Sequence, residues 1–418
     1  MNHRPFVRVC VPVGCLQFLA TLALLATTAI HAQQNDIRIR AARVIDGTGQ
    51  VIPNATVVVS GSTIKAIEPS GSSGADIDLG PSTVLPGMID VHAHIGWHFG
   101  ANGRFEPRAA TPAQDALYAA ENAYLTLMAG FTTIQSPGQP DDVDLRDAIA
   151  RGVLPGPRIL TSIVQITPNG DAPAVLRQRV RELKDRRADV VKIFDSVVRG
   201  GVEQVMTREQ FVALCGEAKA VGLRTMVHAQ TSESVKTAVE AGCAQIEHGT
   251  GVDDSALKAM AERGVYFDPH VGVLWQNYRR NRNRFIGVGT YTEDTFASID
   301  ETMRINAAMI RKAVATPGLK LVMGSDAVAG AHGRNADELV ERVRQGKQRP
   351  IDAIISATSL AAASLGLEKT IGTLAPGYQA DIIAVDGDPS TDITALTRVT
   401  FVMREGRVYK QRVERRPD

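Results

Sequence analysis

Six residues that could hold metal ions or take part in metal chemistry each lie at or directly after a run of apolar residues. His92 and His94 are two residues apart, so on an extended strand both imidazoles face the same side. Lys192 lies between apolar neighbours, where an unpaired ammonium is costly to bury. Imidazole nitrogens and carboxylate oxygens are zinc ligands in proteins, so the pattern indicates metal-dependent chemistry. The six residues are His92, His94, Lys192, His228, His248 and Asp326.

The apolar runs themselves predict β-strands. Eight of them alternate with helical patterns, which is typical of an α/β fold whose parallel strands are joined by crossover helices. Eight such units in roughly 250 residues favour a closed (β/α)8 TIM barrel. An open doubly wound sheet is the alternative, but no GxGxxG turn follows the first run. The predicted strands are 84–91, 131–135, 158–162, 190–194, 224–227, 244–247, 265–268 and 319–323.

The six residues follow, or lie within, five of the eight predicted strands. In a barrel the carboxyl ends of the strands meet at one rim, which is where barrel enzymes carry out their chemistry. Each residue alone is a weak signal, because a single histidine after a strand is usually a hydrogen-bonded rim residue. The complete set on one strand pattern predicts a metal-dependent active site at that rim.

Short β-like segments occur at both ends of this barrel pattern. They lie at 37–44, 55–60 and 63–67 near the start, and at 380–385, 399–403 and 407–409 near the end. We expect the two groups to pair into a small β-sandwich formed by residues 36–85 and 375–412, with the barrel at 86–374 inserted between them.

The first 32 residues have the pattern of a signal peptide. Arg4 and Arg8 precede an apolar run at 16–30, and Ala32 precedes a polar segment. The pattern predicts a periplasmic or secreted protein with no stable membrane insertion after cleavage. An uncleaved membrane anchor is the alternative, although the apolar run is short for a membrane span.

Composition narrows the range of partners. The 46 basic residues nearly balance the 45 acidic ones, and the net charge of +1 argues against nucleic acid as a partner. A small-molecule substrate is expected, and the sequence leaves open whether the chain forms a homo-oligomer. We interpret Cys215 and Cys243 as buried or free thiols, because two cysteines make no disulfide framework; a disulfide between them is possible, but the sequence does not support it.

The motifs, taken in order, resemble those of the metal-dependent amidohydrolase superfamily over nearly all of the chain after residue 32. The resemblance is closest to the group of imidazolonepropionase-like and Xaa-Pro dipeptidase-like enzymes that have a lysine on the fourth strand. The motifs are VLPGMIDVHAH at 84–94, VKIF at 191–194, VHA at 227–229, IEHGT at 246–250, GSDA at 324–327 and GTLAPGYQAD at 372–381.

The resemblance implies a role for each of the six residues. Lys192 takes up carbon dioxide and becomes a carbamate, an anion that bridges two divalent metal ions, expected to be zinc. His92, His94 and Asp326 bind one ion, and His228 and His248 bind the other. Asp326 is also the catalytic proton shuttle, which takes a proton from the attacking water and passes it to the leaving nitrogen.

Loops after the predicted strands supply candidates for contact with substrate. His270 is a second candidate catalytic residue, because it could polarise the carbonyl. One departure from the dipeptidase-like pattern is the segment 166–171, which lacks the histidine of the Gly-Gly-His-Gly motif, so proline specificity does not follow. The candidate substrate-binding residues are Tyr278, His98, His332 and Arg279.

These observations predict an exported binuclear amidohydrolase that cleaves the amide bond of a small substrate, such as a dipeptide, an N-acyl amino acid or a cyclic amide. A lactonase or phosphotriesterase-like esterase could use the same metal pair. Two further interpretations are a barrel that binds a ligand without turnover and a mononuclear deaminase. The complete set of six residues argues against the binder, and Lys192 argues against the deaminase, in which it would bridge nothing.

Overall fold

The computed structural model describes residues 36–69, 74–108, 111–199 and 202–411. The predicted signal peptide lies outside the described residues. Within those ranges, no helix combines the length and the apolar character that a membrane crossing requires.

The described residues form 21 strands, most of them short. They are β1 (Ile37–Ile45), β2 (Val51–Ser60), β3 (Thr63–Pro69), β4 (Ile77–Asp78), β5 (Thr83–Pro86), β6 (Met88–Asp90), β7 (His98–Phe99), β8 (Phe105–Glu106), β9 (Phe131–Ser136), β10 (Arg158–Thr161), β11 (Gln165–Ile166), β12 (Val190–Phe194), β13 (Ser196–Arg199), β14 (Val202–Val205), β15 (Arg224–Ala229), β16 (Gln245–His248), β17 (Tyr266–Asp268), β18 (Lys320–Leu321), β19 (Ile382–Val385), β20 (Val399–Arg404) and β21 (Arg407–Gln411).

Twelve α-helices and one short 3₁₀ helix, Ile393–Thr397, complete the described part of the chain. The α-helices are α1 (Pro112–Met128), α2 (Asp142–Ala150), α3 (Pro173–Asp185), α4 (Arg208–Ala220), α5 (Ser232–Glu240), α6 (Asp254–Arg263), α7 (Val273–Arg280), α8 (Arg282–Phe285), α9 (Glu293–Ala315), α10 (Asp337–Gly346), α11 (Pro350–Ser356) and α12 (Ser359–Ser364).

Strands from both ends of the chain share one mixed sheet of eight strands. Its order is β21-β20-β19-β5-β1-β2-β3, with β4 alongside β1. The predicted strand at 84–91 is therefore two strands, because β5 lies in this sheet whereas β6 pairs with β9. Gly87 separates them, and a Cβ at this position would collide with the Thr132 side chain.

The other predicted strands lie in two parallel sheets, one with the order β10-β9-β6 and the other with the order β11-β12-β15-β16-β17-β18. Backbone hydrogen bonds also connect strands of different sheets: Asp189 donates to Thr161 O at 2.8 Å, and Val91 donates to Met323 O at 2.9 Å. The structure is thus α/β with mixed and parallel sheets, and helices follow most of the parallel strands.

Successive side chains of β12 point to opposite faces of the sheet, and this determines which of them face the helices. Val191 and Ile193 are fully buried in a large apolar cluster that includes Phe211 and Leu214 of α4. Successive side chains of a strand point to opposite faces, so Lys192 points away from the helices. Packing of its neighbours thereby fixes the direction of Lys192.

Candidate active site

The two histidines after β6 lie against the carboxylate that follows β18. Ile89 and Val91 pack in an apolar cluster, and His92 and His94 therefore point to the opposite face of the strand. His94 Nε2 is 3.2 Å from Asp326 Oδ1, and His92 Nε2 is 3.5 Å from the same oxygen. These three side chains are at least nine-tenths buried and form a group whose ligand atoms could hold one metal ion.

Glu247 fixes the ring of His92. The Nδ1–H of His92 donates to Glu247 Oε2 at 2.5 Å, and Gln245 Nε2 donates to the other carboxylate oxygen at 2.7 Å. Burial lowers the pKa of His92 well below its ordinary value, and the nearby Lys192 lowers it further. The neutral imidazole presents Nε2 to Asp326, and a neutral ring is the form that binds metal.

Lys192 is the least satisfied polar side chain of the site. It is 1% exposed, and its Nζ has no hydrogen-bond partner among the described residues. The Phe194 ring lies close to it, with its centroid 5.3 Å from Nζ. Burial lowers the pKa of the Lys192 amine, although acidic neighbours, Glu247 first, oppose the shift. An unpaired amine with a lowered pKa fits the carbamate that the family resemblance implies.

His228 and His248 lie beside each other, with ring centroids 4.2 Å apart. The Phe194 ring stacks on His228 at 4.5 Å, and Gln230 Nε2 is 3.3 Å from His228 Nε2. Burial lowers the pKa of His228 to about 3, and Lys192 contributes to the shift. His228 is therefore also neutral at ordinary pH, as a metal ligand must be.

Left-handed backbone conformations occur at two of the candidate ligands. His248 has φ = 68° and Asp326 has φ = 49°. On a regular strand His248 would point to the same face as Ile246, which packs among the helices. The left-handed conformation turns the imidazole toward the cavity instead. Such a conformation costs a non-glycine residue about 1–3 kcal/mol, and it is typical of functional sites.

His270, in the loop after β17, lies behind His248. Its Nε2–H donates to Asp268 Oδ2 at 2.8 Å, and its Nδ1 is 2.8 Å from His248 Nδ1. Burial lowers the pKa of His270, but the Asp268 carboxylate outweighs burial and raises it to about 9. His270 Nδ1 is also 3.7 Å from Asp326 Oδ2.

Arg342 of α10 contacts Asp268, the carboxylate that accepts from His270. Its side chain is fully buried, and Nη2 lies 3.3 Å from Asp268 Oδ1 and 2.5 Å from the carbonyl oxygen of Val322. Neither Arg342, Asp268 nor Glu247 was predicted. Glu247 had a signal in the sequence, because it is a charged residue inside an apolar strand directly before His248.

A cavity of about 160 Å³ opens between the candidate ligands. All six predicted metal ligands contribute to its wall. The other lining residues are Trp97, Gln165, Phe194, Tyr278, Tyr291 and Val328.

The four predicted substrate-binding residues do not lie together in the structure. Tyr278 lines the cavity, whereas Arg279 is exposed and lies 3.4 Å from Asp300. His98 is buried and stacks on Tyr118, with ring centroids 4.0 Å apart. His332 is buried and lines a different cavity of about 410 Å³. In the described part of the chain, only Tyr278 of these four borders the candidate metal site.

Buried histidines and carboxylates at the carboxyl ends of parallel strands define a candidate metal-dependent hydrolase. Comparison with known proteins supports this class, because residues 83–409 match the amidohydrolase family. The chain belongs to this family, and the resemblance predicted from the motifs is confirmed.

Individual relatives agree with the family assignment. Ochratoxinase from Aspergillus niger is 23% identical, with 89% of this chain and 86% of that protein covered. Imidazolonepropionase from Nocardia farcinica is 24% identical over 79% of this chain and 84% of its own length. A crystal structure of a Xaa-Pro dipeptidase with methionine in its active site is 29% identical, has a TM-score of 0.79, and covers 90% of this chain and 100% of its own.

Family and relatives together identify the chain as a hydrolase of carbon–nitrogen bonds. The family is typically metal-dependent, and the groups of histidine and aspartate side chains described above could bind metal.

Proposed function

We propose that the protein is an exported binuclear amidohydrolase that cleaves an amide bond of a small substrate, such as a dipeptide, an N-acyl amino acid or a cyclic amide. The observation that carries the proposal is the Lys192 amine, buried and without a hydrogen-bond partner among the described residues, in a cavity shared with His92, His94, His228, His248 and Asp326. A lone buried amine is costly, whereas a carbamate between two cations is satisfied.

The proposal includes a closed (β/α)8 barrel with a small β-domain built from the two ends of the chain. Backbone hydrogen bonds support closure, because Val322 donates to Phe267 O, Val91 to Met323 O and Asp326 to His92 O, each at 2.8–2.9 Å. The Asp189–Thr161 bond connects the two parallel sheets near β10 and β12, and the bonds of Val91 and Asp326 connect them near β6 and β18. The two sheets are therefore joined at both of their edges.

The donor set fits two divalent ions, and we assign zinc. His92, His94 and Asp326 would hold one ion, His228 and His248 the other, and carboxylated Lys192 would bind both. When bound, the ions supply Lewis-acid polarisation of the amide carbonyl and activation of a water molecule.

Asp326 moves the proton in the proposed reaction. Burial raises its pKa, but the hydrogen bond from His94 and nearby positive charge outweigh burial and hold the pKa at about 2. The carboxylate is therefore ionised and can accept a proton from water and deliver it to the leaving nitrogen. In the net reaction the C–N bond breaks, the acyl carbon gains the hydroxyl of water, and the nitrogen gains the proton.

His270 is suited to position other groups rather than to contact substrate. Its two ring nitrogens face Asp268 and His248, and its side chain is not part of the cavity wall. We therefore assign His270 the role of orienting His248 and the Asp326 carboxylate.

Two features support an exported, periplasmic or secreted location. The first 32 residues have the basic, apolar and small-residue order of a signal peptide. Cys215 and Cys243 form a disulfide in the structure, so the two cysteines are paired rather than buried thiols. Disulfides persist in oxidising compartments and are rare in the cytosol.

Metal content tests the proposal. We expect about two zinc ions per wild-type chain by elemental analysis, and one or fewer in Lys192→Ala, with loss of hydrolysis across a panel of N-acyl amino acids and dipeptides. Lys320→Ala is the matched control, because Lys320 begins β18, whereas the candidate ligand Asp326 follows the end of that strand. The Lys320 side chain lies against the Tyr266 ring. One ion or none in the wild type, unchanged in Lys192→Ala, would contradict the binuclear site. Hydrolysis of lactones but of no amide would favour the esterase.

A further inference from the structure

The part of the active-site cavity that does not bind metal is largely aromatic. Twelve residues line the cavity, and six of them are the candidate ligands. Of the other six, four have aromatic rings, although aromatic residues make up only 5% of the chain. The four are Trp97, Phe194, Tyr278 and Tyr291.

Two of these rings pack directly on candidate ligands. The Trp97 indole stacks on His94, with centroids 4.1 Å apart and ring planes 27° apart. The Phe194 ring stacks on His228 at 4.5 Å and 20°. A group attached to the amide that is cleaved must therefore lie beside aromatic surface, because these rings adjoin the ligands themselves.

The two tyrosines form a fixed pair. Their hydroxyl oxygens are 3.1 Å apart, and the Phe285 ring lies 5.1 Å from each tyrosine ring. Burial raises the pKa of Tyr278 well above its ordinary value and raises the pKa of Tyr291 to about 12, so both phenols are neutral. When one hydroxyl donates to the other, one O–H remains to donate to a substrate oxygen.

We propose that the preferred substrates are amides with an aromatic ring next to the scissile bond, and that Tyr291 is a specificity-determining residue that recognises this ring together with Trp97, Phe194 and Tyr278. The inference rests on the proposed amide hydrolysis and specifies its substrate class. Tyr291 contributes although it lies outside the metal-binding motifs, in the segment between α8 and α9.

Matched substrates separate aromatic recognition from simple apolarity. Phenyl and cyclohexyl groups have similar size, but only the phenyl ring has the quadrupole that favours stacked and edge-to-face contacts. On the acyl side of the amide bond, we expect kcat/KM for N-benzoyl-leucine to exceed that for N-cyclohexanecarbonyl-leucine by roughly tenfold. On the amine side, we expect the same preference for N-acetyl-phenylalanine over N-acetyl-cyclohexylalanine. The inference requires the preference on at least one of the two sides.

Variants at Tyr291 assign the preference to the cavity. We expect Tyr291→Leu to reduce the phenyl-to-cyclohexyl ratio to about twofold while zinc content stays at the wild-type value, and Tyr291→Phe to keep the ratio. Tyr124→Leu is the control, because Tyr124 is an exposed tyrosine of α1 and is not part of the cavity wall. A ratio that does not change in Tyr291→Leu would overturn the assignment of Tyr291.

Measurements of ligand binding test the inference without requiring that a substrate be hydrolysed. By calorimetry on the zinc-loaded protein, benzamide should bind at least about fivefold more tightly than cyclohexanecarboxamide, and Tyr291→Leu should remove most of this difference. Equal affinities, or equal kcat/KM values within each substrate pair, would overturn the inference and leave the proposed amidohydrolase intact. If no amide is hydrolysed, the proposed function fails, and the binding ratio alone then decides whether the cavity selects aromatic rings.

Discussion

Glu247 shows how one buried carboxylate determines the state of a candidate metal ligand. The fully buried Glu247 accepts from His92 Nδ1 and from Gln245, so the imidazole can neither rotate nor present its other nitrogen. Second-layer carboxylates of this kind fix the tautomer of a ligating histidine and strengthen it as a ligand.

Glu247→Gln replaces the carboxyl group by an amide and keeps the shape of this contact. We expect zinc affinity to fall roughly 10- to 100-fold, because the amide supports the His92 ring less strongly than a carboxylate does. Competition with a chelator measures the affinity. Glu240→Gln is a suitable control, since Glu240 is an exposed residue at the end of α5 that lies 3.8 Å from Arg208. Unchanged zinc affinity in Glu247→Gln would remove Glu247 from the metal site.

Some residues of the site could be predicted from the sequence, and others could not. The six candidate ligands could be named because each follows or lies within an apolar run, and the structure places them around one cavity. Asp268 and Arg342 could not be named, because their positions depend on a contact between β17 and α10 that leaves no local pattern. Three of the four substrate-binding candidates do not reach the cavity, because position after a strand does not specify the direction of a loop side chain.

Among the elements, helices with strong capping residues were the most predictable. Thr207 and Gln210 form a capping box at the start of α4, and the spacing of these two residues is a start signal that can be read from the sequence. The run at 84–91 was less predictable, because apolar character does not reveal that the chain changes sheets at Gly87.

The disulfide joins α4 to the turn before β16. Cys215 and Cys243 are both 2% exposed and are 28 residues apart in the chain. A cross-link of this kind stabilises the fold mainly by restricting the unfolded chain.

Replacing both cysteines by alanine tests this contribution. We expect the free energy of unfolding to fall by about 3 kcal/mol, with a lower urea midpoint, because the unfolded chain regains the freedom of a loop of this length. Zinc content and kcat/KM should stay at wild-type values, since Cys243 precedes β16 whereas His248 ends it. A urea midpoint equal to that of the wild type would show that the disulfide contributes nothing to stability.

At the scale of the whole molecule, Arg158 connects a parallel strand to the eight-stranded sheet. Its guanidinium is 2.9 Å from Asp381 Oδ2 and 2.7 Å from Glu405 Oε1. Asp381 is 3% exposed and also accepts from the backbone N–H of Glu405. Arg158 therefore neutralises a buried carboxylate where two sheets meet.

Arg158→Met keeps much of the side-chain volume and removes the charge. We expect a loss of about 2–3 kcal/mol in unfolding free energy, somewhat below the cost of breaking a fully buried pair, because Glu405 is partly solvated. Arg158→Lys, which retains the charge, should lose less than half as much. Urea denaturation at neutral pH measures both, and equal stability of Arg158→Met and the wild type would rule out this connection as a stabilising one.

The positions of these contacts have a consequence for protein engineering and for the divergence of such enzymes. Arg158 begins β10 and Cys243 precedes β16, so both cross-connections lie where the parallel strands start. Trp97, Tyr278 and Tyr291 lie in segments that follow the ends of strands. Mutational libraries confined to these three aromatic positions will therefore sample new substrate preferences while the scaffold keeps its margin of stability.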